Sequence, residues 1–125
     1  LISPSTGSGH EGDDEVMKMI RAVIREERFD YVKKALEDRS IHGMTFWQVM
    51  GRGEQKGVSL QYRTGRMDIE FLPKMVVEVV VRDDQHADAV NAIKSGARTG
   101  KIGDGRIFVL PVEQSIRIRT DEIDI

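Results

Sequence analysis

The chain has 125 residues, a formal charge of −2, 39% hydrophobic and 32% charged residues, and no cysteine. That length suits one domain with a modest core, and the composition is that of a soluble globular protein whose expected compartment is a reducing cytoplasm. It rules out disulfides and thiolate metal sites, offers no electrostatic case for nucleic acid or a membrane surface, and holds no apolar run near the roughly 18 residues of a membrane span.

Residues 1–16, LISPSTGSGHEGDDEV, are rich in Ser, Gly and acids and show no periodicity. They read as a disordered leader left over from expression, with a native acidic tail as the alternative. The domain is then residues 17–125, with Met17 as its start. Met17–Arg25 predicts a strand with Ile20, Ala22 and Ile24 on one face and Met19, Arg21 and Val23 on the other. Glu26–Asp38 predicts an amphipathic helix that turns Phe29, Val32, Ala35 and Leu36 inward. A turn at 40–43 leads to a second strand, Met44–Arg52, whose Phe46 and Trp47 suit packing.

The pattern breaks over 53–70, a polar stretch with Gly53, Gly57 and Gly65 and no sustained period. So long a loop in a small domain is usually functional or disordered. Pro73 closes it. Met75–Arg82 is a Val-rich strand, and Asp83 or Asp84 can cap a helix running to Ala97. Thr99-Gly-Lys-Ile-Gly-Asp-Gly-Arg106 follows, then a strand at Ile107–Val112 and a short extended tail at Ile116–Arg119.

The order β-α-β, long loop, β-α-β predicts an α+β, ferredoxin-like antiparallel sheet with both helices on one face. The other face keeps Met19 and Val23, or their alternates on that strand, together with Val76 and Val80. An exposed apolar sheet face asks for a partner, and a homo-oligomer is the simplest one.

The chemistry points to binding. His10, His42 and His86 stand at no metal-ligand spacing, and nothing assembles a nucleophile with a base. Asp104 is the lone candidate base for a phosphoryl-transfer alternative. In the glycine-rich stretch, successive N–H groups can form an anion nest, flanked by Lys101 and Arg106; a tight turn feeding a buried strand is the alternative. Glu78 sits inside an apolar strand, where a carboxylate needs a partner; an inter-subunit pair with Arg21 is one reading. Arg117 and Arg119 alternate on an extended segment, so both would face one anion, or else solvent.

Thr99-Gly-Lys-Ile-Gly-Asp-Gly-Arg-Ile-Phe-Val109, with Pro111-Val-Glu113 and Ile116-Arg-Ile-Arg-Thr120, resembles the C-terminal signature of the PII nitrogen-regulatory proteins (the GlnB/GlnK family). The resemblance extends back through Phe71-Leu-Pro-Lys74, Gln55-Lys-Gly57 and Gly43-Met-Thr45 to Met17. It implies a ferredoxin-like homotrimer that signals nitrogen, carbon and energy status. It implies that ATP and ADP compete for clefts between subunits. One wall would carry Gly43, Thr45, Gly51, Arg52, Gly53, Glu54, Gln55, Glu78, Val80, Gly103, Asp104, Gly105 and Arg106. The neighbouring subunit would supply Arg117 and Arg119. With Mg-ATP bound, 2-oxoglutarate would join the Mg²⁺, Gln55 supplying a metal ligand, Lys56 and Gly57 lining the site and Lys74 holding the distal carboxylate.

The segment 53–70 matches the T-loop. It implies docking through Tyr62, Arg63 and Arg66 onto an ammonium transporter, so that any contact with a membrane is indirect, or onto a nitrogen-metabolism enzyme. Some positions depart from the resembled pattern. Glu54 replaces a common phosphate-contacting Arg, which puts the preference between ATP and ADP in question. Met67 stands where many relatives carry a modifiable tyrosine, so uridylylation there is not expected. Thr64 and Asp121 replace glycines. The alternative to a PII transducer is a PII-like sensor that pairs adenine nucleotides with another small anion.

Overall fold

A computed structural model of the protein describes residues 16–52, 59–62, 65–68 and 71–123. The predicted leader apart from Val16, and Gly53, Glu54, Gln55, Lys56, Gly57, Arg63 and Thr64, lie outside the described residues. In chain order the elements are β1 (Met17–Arg25), α1 (Phe29–Glu37), β2 (Thr45–Gly51), β3 (Ser59–Tyr62), β4 (Gly65–Asp68), β5 (Leu72–Arg82), α2 (Asp83–Ala97) and β6 (Gly105–Val112).

Four strands form one antiparallel sheet in the order β2-β5-β1-β6, the ferredoxin-like arrangement expected from the βαββαβ pattern. Strand alternation sorts the side chains. Ile20, Ala22 and Ile24 of β1 and Val77, Val79 and Val81 of β5 are buried against Val32 and Leu36 of α1 and Ala89, Ala92 and Ile93 of α2. The helices approach closely because Gly96 has no side chain: a Cβ there would stand 2.7 Å from the Val32 backbone. The Arg28 guanidinium braces the same crossing, donating to the Gly96 carbonyl at 2.8 Å.

The other face of the sheet carries Met19, Val23, Trp47, Val76, Val80, Phe108 and Leu110, placed together by register. Arg21 and Glu78 sit opposite each other in its middle, with Arg21 Nε donating to Glu78 Oε2 at 2.6 Å. The pair forms within one chain, and so replaces the inter-subunit pairing considered for Glu78. Phe46 points to the helix side and packs on Phe29 with ring centroids 4.6 Å apart.

Several local expectations change. The stretch 53–70 is not featureless: β3 and β4 pair as an antiparallel hairpin, with Leu60 opposite Met67 and Tyr62 opposite Gly65. Each strand is only four residues long, the lower limit at which a period-2 pattern marks a strand. Pro73 lies inside β5, opposite Met50. It is tolerated because β1 pairs with β5 only from Lys74 onward, which leaves that side of Pro73 outside the β1 ladder. The first helix opens with a 3₁₀ turn at Glu26–Arg28. The cap of α2 is Arg82 rather than Asp83 or Asp84, which occupy the first turn and suit its dipole; the Gln85 side-chain oxygen accepts from the Arg82 N–H at 3.3 Å.

Nor is the tail extended. Residues 118–120 form a turn, Ile116 bridges to Ile123, and the Asp121 N–H donates to the Arg117 carbonyl at 2.8 Å. Strand alternation therefore does not put Arg117 and Arg119 on one face. Among the described residues, no helix is long and apolar enough to cross a membrane.

Candidate functional site

The glycine-rich loop 99–105 leaves α2 and re-enters the sheet as β6. Gly100, Gly103 and Gly105 all have positive φ, at 87°, 99° and 111°. Gly105 is required twice over, because a Cβ on it would stand 1.8 Å from the Val23 carbonyl oxygen. The loop is nucleated by Asp104. Its carboxylate accepts from the backbone N–H groups of Thr99 and Gly100, each at 2.8 Å, and from the Thr99 hydroxyl. The Lys101 N–H turns to the Thr99 hydroxyl oxygen at 3.2 Å. The anion in the first half of this nest is thus the protein's own carboxylate.

Two cations from neighbouring strands hold the loop against the sheet. Arg25 and Lys74 are partners in the β1–β5 register and share the uncovered face. Arg25 donates through Nε to Asp104 Oδ1 at 3.1 Å and through Nη2 to the Ile102 carbonyl at 2.7 Å. The Lys74 ammonium, largely buried, donates to the Gly103 carbonyl at 2.8 Å. Burial lowers the Lys74 pKa from its ordinary value, and the nearby Arg25 charge lowers it further. Asp104 moves well below the usual carboxylate range, first because of the Thr99 hydroxyl and with the backbone N–H groups and Arg25 adding to it. A carboxylate so committed is a poor general base, which removes the support for phosphoryl transfer through Asp104.

The same corner includes Gly51. A Cβ there would stand 3.1 Å from Lys74 Cγ, so the end of β2 runs directly over the lysine stem. Gly51, Lys74, Gly103, Asp104, Gly105 and Arg106, distant in sequence, thus converge at one end of the sheet. Thr45 and Glu78 are register partners four residues along β5 from Lys74, about 13 Å away at the rise of a strand. Val80 lies further still, and Gly43 precedes Thr45. Arg52 is exposed just past β2. Arg117 and Arg119 follow the opposite end of β6 from Gly105, so a single chain does not gather every expected residue. Tyr62 and Arg66 fall in the β3–β4 hairpin. Among the described residues, no group of His, Asp or Glu is arranged to hold a metal.

Sequence reasoning missed Arg25 and Thr99. Arg25 gave no signal of its own, since its importance comes from strand register. Thr99 was legible as a hydroxyl beside Gly100, a residue type that often bonds locally in turns.

Fold and corner together define a ferredoxin-like domain with an anion-nucleated glycine loop at one end of an uncovered apolar sheet. The chain belongs to the nitrogen regulatory protein P-II family, whose model matches residues 17–122. It is 49% identical over 106 residues to the nitrogen regulatory protein P-II of Cereibacter sphaeroides and 51% identical over 106 residues to that of Nostoc punctiforme. Each match covers 85% of this chain and 95% of the relative. Among solved structures it is similar to Arabidopsis thaliana PII bound to citrate, with a TM-score of 0.69 and 37% identity, covering 88% of this chain and 87% of the other.

Proposed function

We propose that this protein is a homotrimeric signal transducer that binds ATP and ADP competitively, senses 2-oxoglutarate together with Mg-ATP, and regulates a target through the segment 53–70. The observation that carries the reading is the corner where Arg25 and Lys74 fix the glycine loop beneath Gly51. It gathers glycine backbone and cations, the chemistry that phosphate and carboxylate ligands require. The uncovered apolar face supports an oligomer. The position of Arg117 and Arg119 beyond the far end of β6 suits cations donated to a neighbouring copy.

Mg²⁺ prefers oxygen donors and is usually held by few protein groups plus phosphates. A site with Gln55 as its one protein ligand fits that preference. When bound, the ion would neutralise phosphate charge and bridge to the effector. Lys74, a compact buried cation, is the expected partner of the distal carboxylate. The citrate bound to the Arabidopsis relative supports carboxylate recognition on this fold. Effectors act on the target by favouring one conformer of the docking segment, which requires different affinities for the two states.

Calorimetric titration of 2-oxoglutarate with Mg-ATP, with Mg-ADP and with neither tests the proposal. Binding only with Mg-ATP, lost in Gln55→Ala while much ATP binding remains, is the expected result. Nucleotide binding without any 2-oxoglutarate response would favour the second reading, a PII-like sensor of a different small anion, for which Glu54 in a phosphate-contacting position is the specific support. For the target, pull-downs with and without ATP and 2-oxoglutarate separate an ammonium transporter from a nitrogen-metabolism enzyme. Unchanged transporter binding by Arg63→Ala would remove the channel-docking role of that residue.

A further inference from the structure

Strand β2 is an edge of its sheet, paired on one side only, with β5. Edge strands are commonly guarded by Lys, Pro or a bulge. The other edge, β6, carries Arg106 and Pro111. Thr45–Gly51 has no charged residue and no proline, and its register with β5 runs without a bulge. That register sets Phe46, Gln48 and Met50 on the helix-covered side, opposite Val77, Met75 and Pro73. The helix reaches the first of them, through the Phe29 ring. Phe46 is 50% exposed and Met50 63%, and Phe71, just before β5, is 55% exposed. This row faces away from the side that carries Lys74, Glu78 and Val80, and none of its residues belongs to the proposed nucleotide set.

Between the two apolar residues the row is acidic. Glu26 Oε2 accepts from Gln48 Nε2 at 2.9 Å, and the exposed Asp30 follows Phe29 in α1. Among the described residues neither carboxylate has a cationic partner; Lys33 is taken by Glu37 at 3.7 Å. A strand laid along β2 would set one residue beside Phe46, one beside Gln48 and Glu26, and one beside Met50, each two apart. The complementary pattern is apolar, any, cation, any, apolar. In this chain the cation of such a pattern falls only in β1, α1 and β5, which are built into the fold, so a second copy has no free segment of this kind. We propose that β2 docks an extended segment of a target protein with this pattern, added as a further strand. The proposal rests on the target-regulation reading, because Met50 and Phe71 flank the segment 53–70 at its two roots, and it names the chemistry of the partner.

The probe is the peptide Thr-Leu-Thr-Lys-Thr-Leu-Thr, blocked at both ends and titrated into the isotope-labelled full chain without nucleotide, with backbone amides followed by NMR. Saturable shifts centred on the amides of Phe46 to Met50 are expected. Glutamate in place of the peptide's lysine should weaken binding about fivefold, and serine in place of both leucines about tenfold or more. Met50→Lys and Glu26→Lys should each weaken the parent peptide about fivefold. Ile118→Ser removes an apolar side chain that is 97% exposed elsewhere and should leave binding intact. Absent peptide binding, equal binding of the glutamate or serine peptide, undiminished binding in either lysine variant, or an equal loss in Ile118→Ser would each overturn the proposal. So would a lower sedimentation mass for Met50→Lys, which would assign the patch to a contact between copies. ATP and 2-oxoglutarate titrated into the same variants report the nucleotide site separately, so a failure of peptide docking and a failure of effector sensing are told apart.

Discussion

Replacing Gly105 by alanine adds one methyl group at the point where the glycine loop enters β6. The new Cβ would stand 1.8 Å from the Val23 carbonyl oxygen and 2.9 Å from its carbon. Restoring even 3.0 Å to that oxygen opens the β1–β6 seam by about 1.2 Å, the difference between 3.0 and 1.8. Ladder hydrogen bonds near 2.9 Å do not survive such a displacement. Val23 pairs with Arg106 and Ile24 with Gly105, so the damage falls at the beginning of β6 and on the loop's anchor. The positive φ adds ~1–2 kcal/mol for any residue with a Cβ, and forcing apart a packed seam adds ~1–3 kcal/mol. The expected loss is about 2–5 kcal/mol, or about 8–20 °C in melting temperature at ~4 °C per kcal/mol.

Gly100→Ala is the control. That glycine also has positive φ, but a Cβ on it meets nothing within 4 Å, so it should lose only ~1–2 kcal/mol. Thermal melts of the two variants and the parent at equal chain concentration compare them directly, since an oligomer's melting depends on concentration. Equal losses in the two variants, or a Gly105→Ala loss below about 1 kcal/mol, would refute the claim that close approach to β1 makes this glycine necessary.

Asp104 gives a pH signature. Its folded-state pKa lies below its ordinary value, so its contribution is fully present above that ordinary value, near 3.8, and is lost as pH falls through the folded value. The melting-temperature gap between parent and Asp104→Asn should be constant from about pH 5 to 8 and narrow below about pH 4; a gap that widens on acidification would contradict the sign. Arg25→Ala should weaken the proposed ATP binding by about tenfold through a loosened loop, with Arg25→Lys recovering part of it, since a hydrogen bond to a charged group is worth ~1.5–3 kcal/mol; calorimetry showing ATP affinity unchanged in Arg25→Ala would separate the loop anchor from ligand binding. Phe108→Glu places a charge on the uncovered sheet face and should shift sedimentation from the three-chain mass of the proposed trimer toward a single chain, whereas a three-chain mass retained in the variant would mean that this part of the face is not the contact.

Within one chain, much of the architecture was legible. Alternation in Met17–Arg25 separated the two faces of β1, and helical spacing named Val32 and Leu36, because one-sided burial imposes its period on the sequence; the Val run marked β5 as a strand but not which of its faces is buried. Local chemistry also marked the glycine loop, where three glycines in six residues can have few other uses. The β3–β4 hairpin was not legible, since its strands are only four residues each, at the lower limit for a period-2 signal. The turn at 118–120 was hidden for another reason: Arg117 and Arg119 alternate as they would in a strand, but backbone bonds to Asp121 and Glu122 decide the geometry.

The corner itself belongs to tertiary structure. Arg25, Gly51, Lys74 and Asp104 carry no shared motif, and only antiparallel register sets Arg25 beside Lys74 and both beneath the loop. Sequence determined which residues have glycine's freedom, a cation's charge or an apolar body. The fold decided which of them meet, because a hydrogen bond depends on positions within about 3 Å, and that proximity is set by strand pairing between residues far apart in the chain.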